Sequence, residues 1–221
     1  MITIDRKAIV KQTLEKILNN AGTEFELLVA DNGSTDGVIE YIKSLNPAVH
    51  LIHEENKGVA YSLNELIKRS NGDFICHIGN DIEMTDNWLK TMLECQLAIP
   101  QTGVCAVHTV QELPHLQMVN NKEVHLRQYV FGPKMYRKEL VKDLAYKEFS
   151  KYGLEDSDLS LRFYYQGLYN YYVPDVKGTH VGHDVESDSE YRKMKWEELK
   201  KAQVGYDKSI KEYQSNDQSI Y

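Results

Sequence analysis

Four short stretches carry the side chains able to do chemistry: "ADNGSTDG" with Asp31 and Asp36, "GNDIE" with Asp81 and Glu83, "LEDSDLSLR" with Glu155, Asp156 and Asp158, and "GTHVGHD" with His180 and His183. Carboxylates with an occasional imidazole are the donors that hold a hard divalent cation, and a positioned carboxylate can take a proton from an attacking hydroxyl. The chain has neither a G-x-G-x-x-G opening a helix nor a G-x-x-x-x-G-K-[ST] loop, so neither a dinucleotide fold nor a P-loop enzyme is supported. A phosphate-bearing ligand held without such a loop needs its charge neutralised in another way. Mg²⁺ or Mn²⁺ bound by one or two carboxylates and by phosphate oxygens would do this, which points to a nucleoside-diphosphate donor.

The elements that must position these groups are legible in the spacing of apolar residues. Ile9, Val10, Leu14, Ile17 and Leu18 recur at helical intervals over residues 7–20, closed by Asn20-Ala21-Gly22. "FELLVA" is a short apolar run without a helical period, and the turn-forming "DNGSTDG" predicts that its strand ends near Asp31. "VIEYIKSL" reads as a helix, "VHLIHEE" as a strand and "VAYSLNELIKRS" as a helix. A strand opens at Phe74, and a helix runs from about Asp86 to Leu97 with Thr85 or Asp86 as its cap. This alternation predicts an α/β fold with a mainly parallel sheet flanked by helices, in which ligands gather at the carboxyl ends of strands. Further on, "TGVCAVHTVQ" predicts a strand, "YVFGPKMYRKELVKDL" a short strand leading into a helix, "YGLEDSDLSLRFYYQGL" a loop entering an amphipathic helix, and "YNYYVPDVKGTHVG" a last strand. The segment "QELPHLQMVNNKEVHLRQY" shows no mechanistic pattern.

Composition narrows the classes. At 221 residues one substantial core is expected. A formal net charge of -7 argues against general nucleic-acid binding, which needs clustered cations facing phosphates. No apolar stretch approaches the roughly 18 to 20 residues of a membrane span. Cys76, Cys95 and Cys105 sit in apolar segments, as reduced thiols of a cytoplasmic protein would, and the first twenty residues do not read as a secretory signal. The mixed-sign "YRKMKWEELKK" reads as a solvated surface helix, with a peripheral membrane role as the other reading.

"LLVADNGSTDGVIEYIKS", "NKGVAYSLNELIKRSNGDFICHIGNDIEMTDNWL" and "YGLEDSDLSLRFYYQG" together resemble family 2 glycosyltransferases, in order and in spacing, over roughly residues 3–185. The resemblance implies the GT-A fold and inverting transfer of a sugar from a UDP- or dTDP-sugar to a hydroxyl acceptor, a glycan or glycolipid. It implies one domain, with a nucleotide-sugar half over residues 1–100, an acceptor and catalytic half over 101–185 and a helical extension over 186–221. By the same resemblance Asp31 meets the nucleotide base, Asp36 supports its loop, and Asn56, Gly58 and Asn64 border the nucleotide pocket. The metal motif lies seven residues before a Trp-Leu pair, and counting back from Trp88 makes Asp81 the ligand, with Asn80 beside it in the nucleotide set. His180 is the expected second ligand, His183 its alternative, and Glu83 a loop or capping residue. Glu155-Asp156 matches the family's catalytic pair, with Asp156 as base and Asp158 in the first helical turn beside Arg162.

Two departures stand out. Gly79 occupies the place of the motif's first Asp, and only Met1-Ile2 precede "TIDR", where relatives have a full strand. These motivate the alternative of a degenerate GT-A domain that binds nucleotide sugar or a protein partner without turnover. A nucleotidyltransferase would be expected to carry a Gly-rich N-terminal loop, which "MITIDRKAI" lacks.

Overall fold

The computed structural model describes residues 1–109, 113, 115–141, 145–181 and 189–218, without the side chains of 189–192. Its first part alternates as the apolar spacing predicts: β1 (Ile2–Thr3), α1 (Lys7–Asn19), β2 (Leu28–Asp31), α2 (Val38–Ser44), β3 (Val49–Ile52), α3 (Val59–Arg69) and β4 (Phe74–His77). β1, β2 and β3 pair in parallel with Thr3, Asp31 and Ile52 in register, so the three strands end at one level. Helix α1 buries Val10, Thr13, Leu14 and Ile17, a single stripe of the kind that docks a helix on a sheet.

The second part comprises β5 (Ile82–Met84), α4 (Trp88–Ala98), β6 (Thr102–His108), β7 (Gln117–Val119), β8 (Lys122–Leu126), β9 (Lys134–Arg137), α5 (Glu155–Tyr165), β10 (Tyr169–His180) and α6 (Ser189–Gln214). Its sheet runs β4-β9-β6-β10-β8-β7, with β5 attached separately to β10. β6 and β10 pair in parallel, whereas β9 lies antiparallel to both β4 and β6. The β7–β8 hairpin falls within the segment that showed no pattern, turning at Asn120 and Asn121, which take positive φ of 46° and 63°.

Local differences have physical causes. Neither Thr85 nor Asp86 caps α4; the preceding residue is Asn87 in the left-handed region, without a side-chain cap. The first amides of α4 are satisfied across the fold instead, Trp88 N–H donating to Asn20 O and Lys90 N–H to Ala21 O. After β9 the described chain makes a 3-10 turn (Lys138–Val141), and the rest of the helix expected there falls partly outside the described residues. β1 has two residues and pairs with β2 alone, so among the described residues no strand pairing joins the two sheets. An apolar cavity of about 260 Å³ lies beside it, lined by Met1, Leu28, Phe74 and Trp88 among others. Tyr171 is fully buried and Tyr172 and Tyr164 nearly so, which makes these tyrosines core residues.

Candidate active site

Asp81 follows β4, and β5 continues directly into an antiparallel pairing with the end of β10, where Ile82 faces His180 and Val181 N–H donates to Asp81 O at 2.8 Å. That register brings together residues nearly a hundred positions apart: His180 Nδ1 lies 3.8 Å from Asp81 Oδ1. The other carboxylate oxygen, Oδ2, meets Arg6 Nη1 at 3.3 Å. A Cβ added at Gly79 would stand 3.1 Å from Asp81 Oδ1, so the Asp81 carboxylate folds over the place where the motif's first acid would project. Asn80 is tied into the same corner, its amide donating to Thr3 Oγ1 at 3.3 Å and its carbonyl accepting from Thr13 Oγ1 at 2.7 Å. Glu83 is the middle residue of β5, paired with Thr179, rather than a loop or capping residue, and it accepts from Gln12 Nε2 at 2.7 Å.

At the end of β2, Asp31 is fully buried. Its Oδ1 accepts the amides of Gly33 and Ser34 at 3.1 and 2.8 Å, and Oδ2 accepts the Ser34 hydroxyl at 2.6 Å. Asp36 accepts from the amides of Lys7 at 2.6 Å and Val38 at 3.1 Å, so one carboxylate serves the first residues of both α1 and α2. Asn56 Oδ1 accepts the Gly58 amide at 2.9 Å. Gly58 has φ +95°, and a Cβ there would come 2.9 Å from Lys151 Cα, so glycine is required by both conformation and close approach. Asn64 is on α3. Its amide is occupied in both directions by the Tyr146 backbone at 2.8 and 3.0 Å, and it lines a cleft of about 840 Å³ at the amino end of β4 with Phe74, Arg137 and Lys138. That cleft is larger than the one below Met1, yet it sits at the opposite end of β4 from Asp81, and we place the chemistry at the carboxyl ends, where the acids and His180 converge.

Helix α5 opens with Glu155, Asp156 and Asp158 in its first turn, after Leu154 and Gly153, both at positive φ. Asp156 Oδ2 is 2.6 Å from the ammonium of Lys134, a lysine with no exposed surface, and Oδ1 is 3.7 Å from His77 Nδ1. Burial alone would raise the Asp156 pKa, but Lys134 and His77 outweigh it and hold the carboxyl well below the ordinary carboxylate range. For Glu155 burial, and then the charge of Asp156, outweigh the more distant Lys134 and push it up to about 7. Burial also lowers His77, which is therefore a neutral imidazole near pH 7. Asp158 sits fully buried behind the helix, accepting from Tyr213 Oη of α6 at 2.7 Å.

Lys134, His77 and Arg6 were not anticipated as site residues. Each had a weak signal: a basic or imidazole side chain at the end of a strand with apolar neighbours, or in the three-residue gap between β1 and α1. His183 lies outside the described residues. Among the described residues no group of three or more His, Cys, Asp or Glu could hold a metal on its own. No helix of the described residues is long and apolar enough to cross a membrane.

The model of glycosyl transferase family 2 matches residues 1–153. The chain belongs to that family. The match ends just before Glu155-Asp156, so it covers the Asp31, Asp81 and Lys134 regions and leaves the opening of α5 to the structure. Among curated relatives, TuaG of Bacillus subtilis (strain 168), provisionally named as a teichuronic acid biosynthesis glycosyltransferase, is 27% identical over 101 residues, 44% of this chain and 38% of its own. An uncharacterized glycosyltransferase of Rickettsia bellii (strain RML369-C) is 33% identical over 88 residues, 39% of this chain and 12% of its own. The matches thus span well under half the length of either relative. Solved structures share the GT-A fold. GalNAc-T7 with UDP, GalNAc and Mn²⁺ superposes at TM-score 0.66 with 13% identity, over 81% of this chain and 42% of its own. S. aureus TarS 1-349 with UDP-GlcNAc gives 0.62 with 18% identity, over 85% and 59%. A family 2 chain with these strand ends has its acidic corners where the fold gathers ligands.

Proposed function

We propose that this family 2 chain is an inverting glycosyltransferase that moves a sugar from a UDP- or dTDP-sugar to a hydroxyl of a glycan or glycolipid acceptor, as one domain over residues 1–221. The observation that carries the reading is the pairing of Asp81 with His180 at one strand end while Asp156, kept ionised, opens the neighbouring helix. The donor set suits a divalent ion that completes its shell from a ligand: one carboxylate and one imidazole, with phosphate oxygens and water for the rest. Asp81 and His180 would hold Mn²⁺ or Mg²⁺, which supplies charge neutralisation for the diphosphate when bound. Relatives of the same fold with UDP, UDP-GlcNAc or GDP-Man, two of them with Mn²⁺, support this choice of ligand class.

The chain's own residues do the remainder. The loop built by Asp31 and Asp36, with Asn56 and Gly58 at its border, would receive the base and ribose. Arg6, already paired to Asp81, brings a second positive charge to the diphosphate side. Asp156 takes the acceptor's proton as its oxygen attacks, a role for which an ionised carboxylate at a helix N-terminus is suited. Glu155, pushed up to about 7, carries less negative charge beside the departing diphosphate than an ordinary glutamate would.

Gly79 favours one other reading, donor binding without transfer. A single experiment tests both: nucleoside-diphosphate release from a panel of UDP-, dTDP- and GDP-sugars with Mn²⁺, beside calorimetry of UDP and dTDP with and without the metal. Release with metal-dependent binding is expected. Binding without release would favour the alternative, and the absence of binding would remove both.

A further inference from the structure

We propose that Lys134 is a positioning residue for the transfer, anchoring the Asp156 carboxylate through Oδ2 so that the outward lone pair of that same oxygen receives the acceptor's proton. The inference rests on Asp156 being the base. Lys134 is the first residue of β9 and is paired on both sides, with His77 of β4 and Ala106 of β6, so its backbone cannot drift. Its side chain has no exposed surface, and its ammonium lies 2.6 Å from Asp156 Oδ2. A lysine in the middle of a sheet, beside Ala106, Met135 and Tyr136, is a costly choice for packing alone, since an apolar side chain of similar volume fills such space without desolvating a charge.

The two carboxylate oxygens are not equivalent. Oδ1 is sealed from solvent and makes no hydrogen bond, facing the ring of His77 at 3.7 Å. The same His77 nitrogen is 3.5 Å from Tyr146 Oη, which accepts from Tyr136 Oη at 3.3 Å. The side chain of Asp156 is nonetheless 24% exposed, so its open surface belongs to Oδ2 and the carbons below it. An acceptor hydroxyl therefore meets Oδ2, which already holds the lysine. The groups facing the carboxylate are Lys134 and Tyr136 from β9, His77 from β4, Tyr146 from the segment before α5, Tyr172 from β10 and Glu155 beside it; with His77 neutral, Lys134 supplies the positive charge.

In the transfer, the acceptor oxygen forms its bond to the anomeric carbon as the bond from that carbon to the diphosphate oxygen breaks. The hydroxyl proton passes to Asp156 Oδ2, and Lys134 keeps its own protons throughout. The lysine fixes where the accepting lone pair points and keeps the carboxylate ionised.

The test uses carbon-13-labelled aspartate to follow the titration of Asp156 by NMR, assigned with Asp156→Asn, alongside pH profiles of kcat and KM for the donor that turns over. In Lys134→Met the Asp156 midpoint and the acid limb of kcat should both move up by more than one pH unit, and kcat should fall at least tenfold, while UDP affinity in Mn²⁺ stays within twofold. Lys134→Arg, which keeps the charge and displaces it, should leave the acid limb low but restore only part of kcat; it carries the test if Lys134→Met does not fold. An unmoved midpoint in folded Lys134→Met, or wild-type kcat in Lys134→Arg, overturns the proposal. Transfer retained by Asp156→Asn would instead remove the base assignment beneath it, and an inactive Asp156→Asn beside a wild-type profile in Lys134→Met would remove Lys134 alone.

Discussion

The β2–α2 loop and the opening of α5 are both rich in acid and both begin where a strand or a turn leaves the core, yet their carboxylates meet different partners. Asp31 and Asp36 accept from backbone amides and one serine hydroxyl, all within their own corner or at the start of α1. At α5 the partners are side chains from distant elements: Lys134 of β9 and His77 of β4 for Asp156, and Tyr213 of α6 for Asp158. Amide partners make a carboxylate part of the scaffold. A buried cation makes it a held charge, which is what the proposed base requires.

The largest expected effect breaks the comparison on its catalytic side. Asp156→Asn should lower transfer by about 10²- to 10⁴-fold, with donor affinity unchanged and a lowered melting temperature, because the buried Lys134 ammonium loses its partner charge. A helix-capping role predicts instead near-neutral behaviour, because Asn accepts from backbone amides as well as Asp does. Transfer rate, UDP calorimetry and thermal melting on the one variant separate the two.

Asp31→Ala should act on stability instead, costing about 3 kcal/mol, since it leaves two amides and the part-buried Ser34 hydroxyl without their acceptor. Denaturant melts measure it. A melting point within a degree of wild type would show that the loop does not depend on Asp31 and would return that residue to direct ligand contact.

Asp81→Ala should weaken UDP binding in Mn²⁺ by at least about tenfold, roughly 1.4 kcal/mol, and make the remaining affinity indifferent to EDTA. His180→Ala should raise the metal concentration needed for half-maximal binding. Equal UDP affinity with and without metal in the wild type would sink the metal bridge.

The smallest effect concerns pH. Glu155 has a folded pKa of about 7, above its ordinary value of 4.5, so the folded state holds its proton more tightly than the unfolded chain. Its contribution is therefore full below about pH 4.5 and is lost as pH rises toward 7. Asp156, with its pKa depressed, works in the opposite sense: its contribution is present above the ordinary carboxylate range and is lost only in stronger acid. Urea melts at pH 5 and pH 8 should show Glu155→Gln gaining on wild type at the higher pH. An equal difference at both would mean that Glu155 is ionised when folded.

By itself the sequence determined the alternation of strand and helix up to β4, the turn after Asp31 and the position of Asp81 before Trp88, because apolar period and turn chemistry act over a few residues. The single stripe of α1 and the strand end at Asp31 were readable for that reason. The α4 cap was not, because its amides are satisfied by carbonyls in the loop after α1. The partner of Asn64 at Tyr146 was not readable, because it lies 82 residues away. Only the tertiary structure decided that β5 meets β10 with His180 against Asp81, and that β4 and β9 align His77 with Lys134 beneath Asp156. Those pairings join segments whose order and register depend on which strand edges remain free once the core has closed, and no local pattern of residues specifies that.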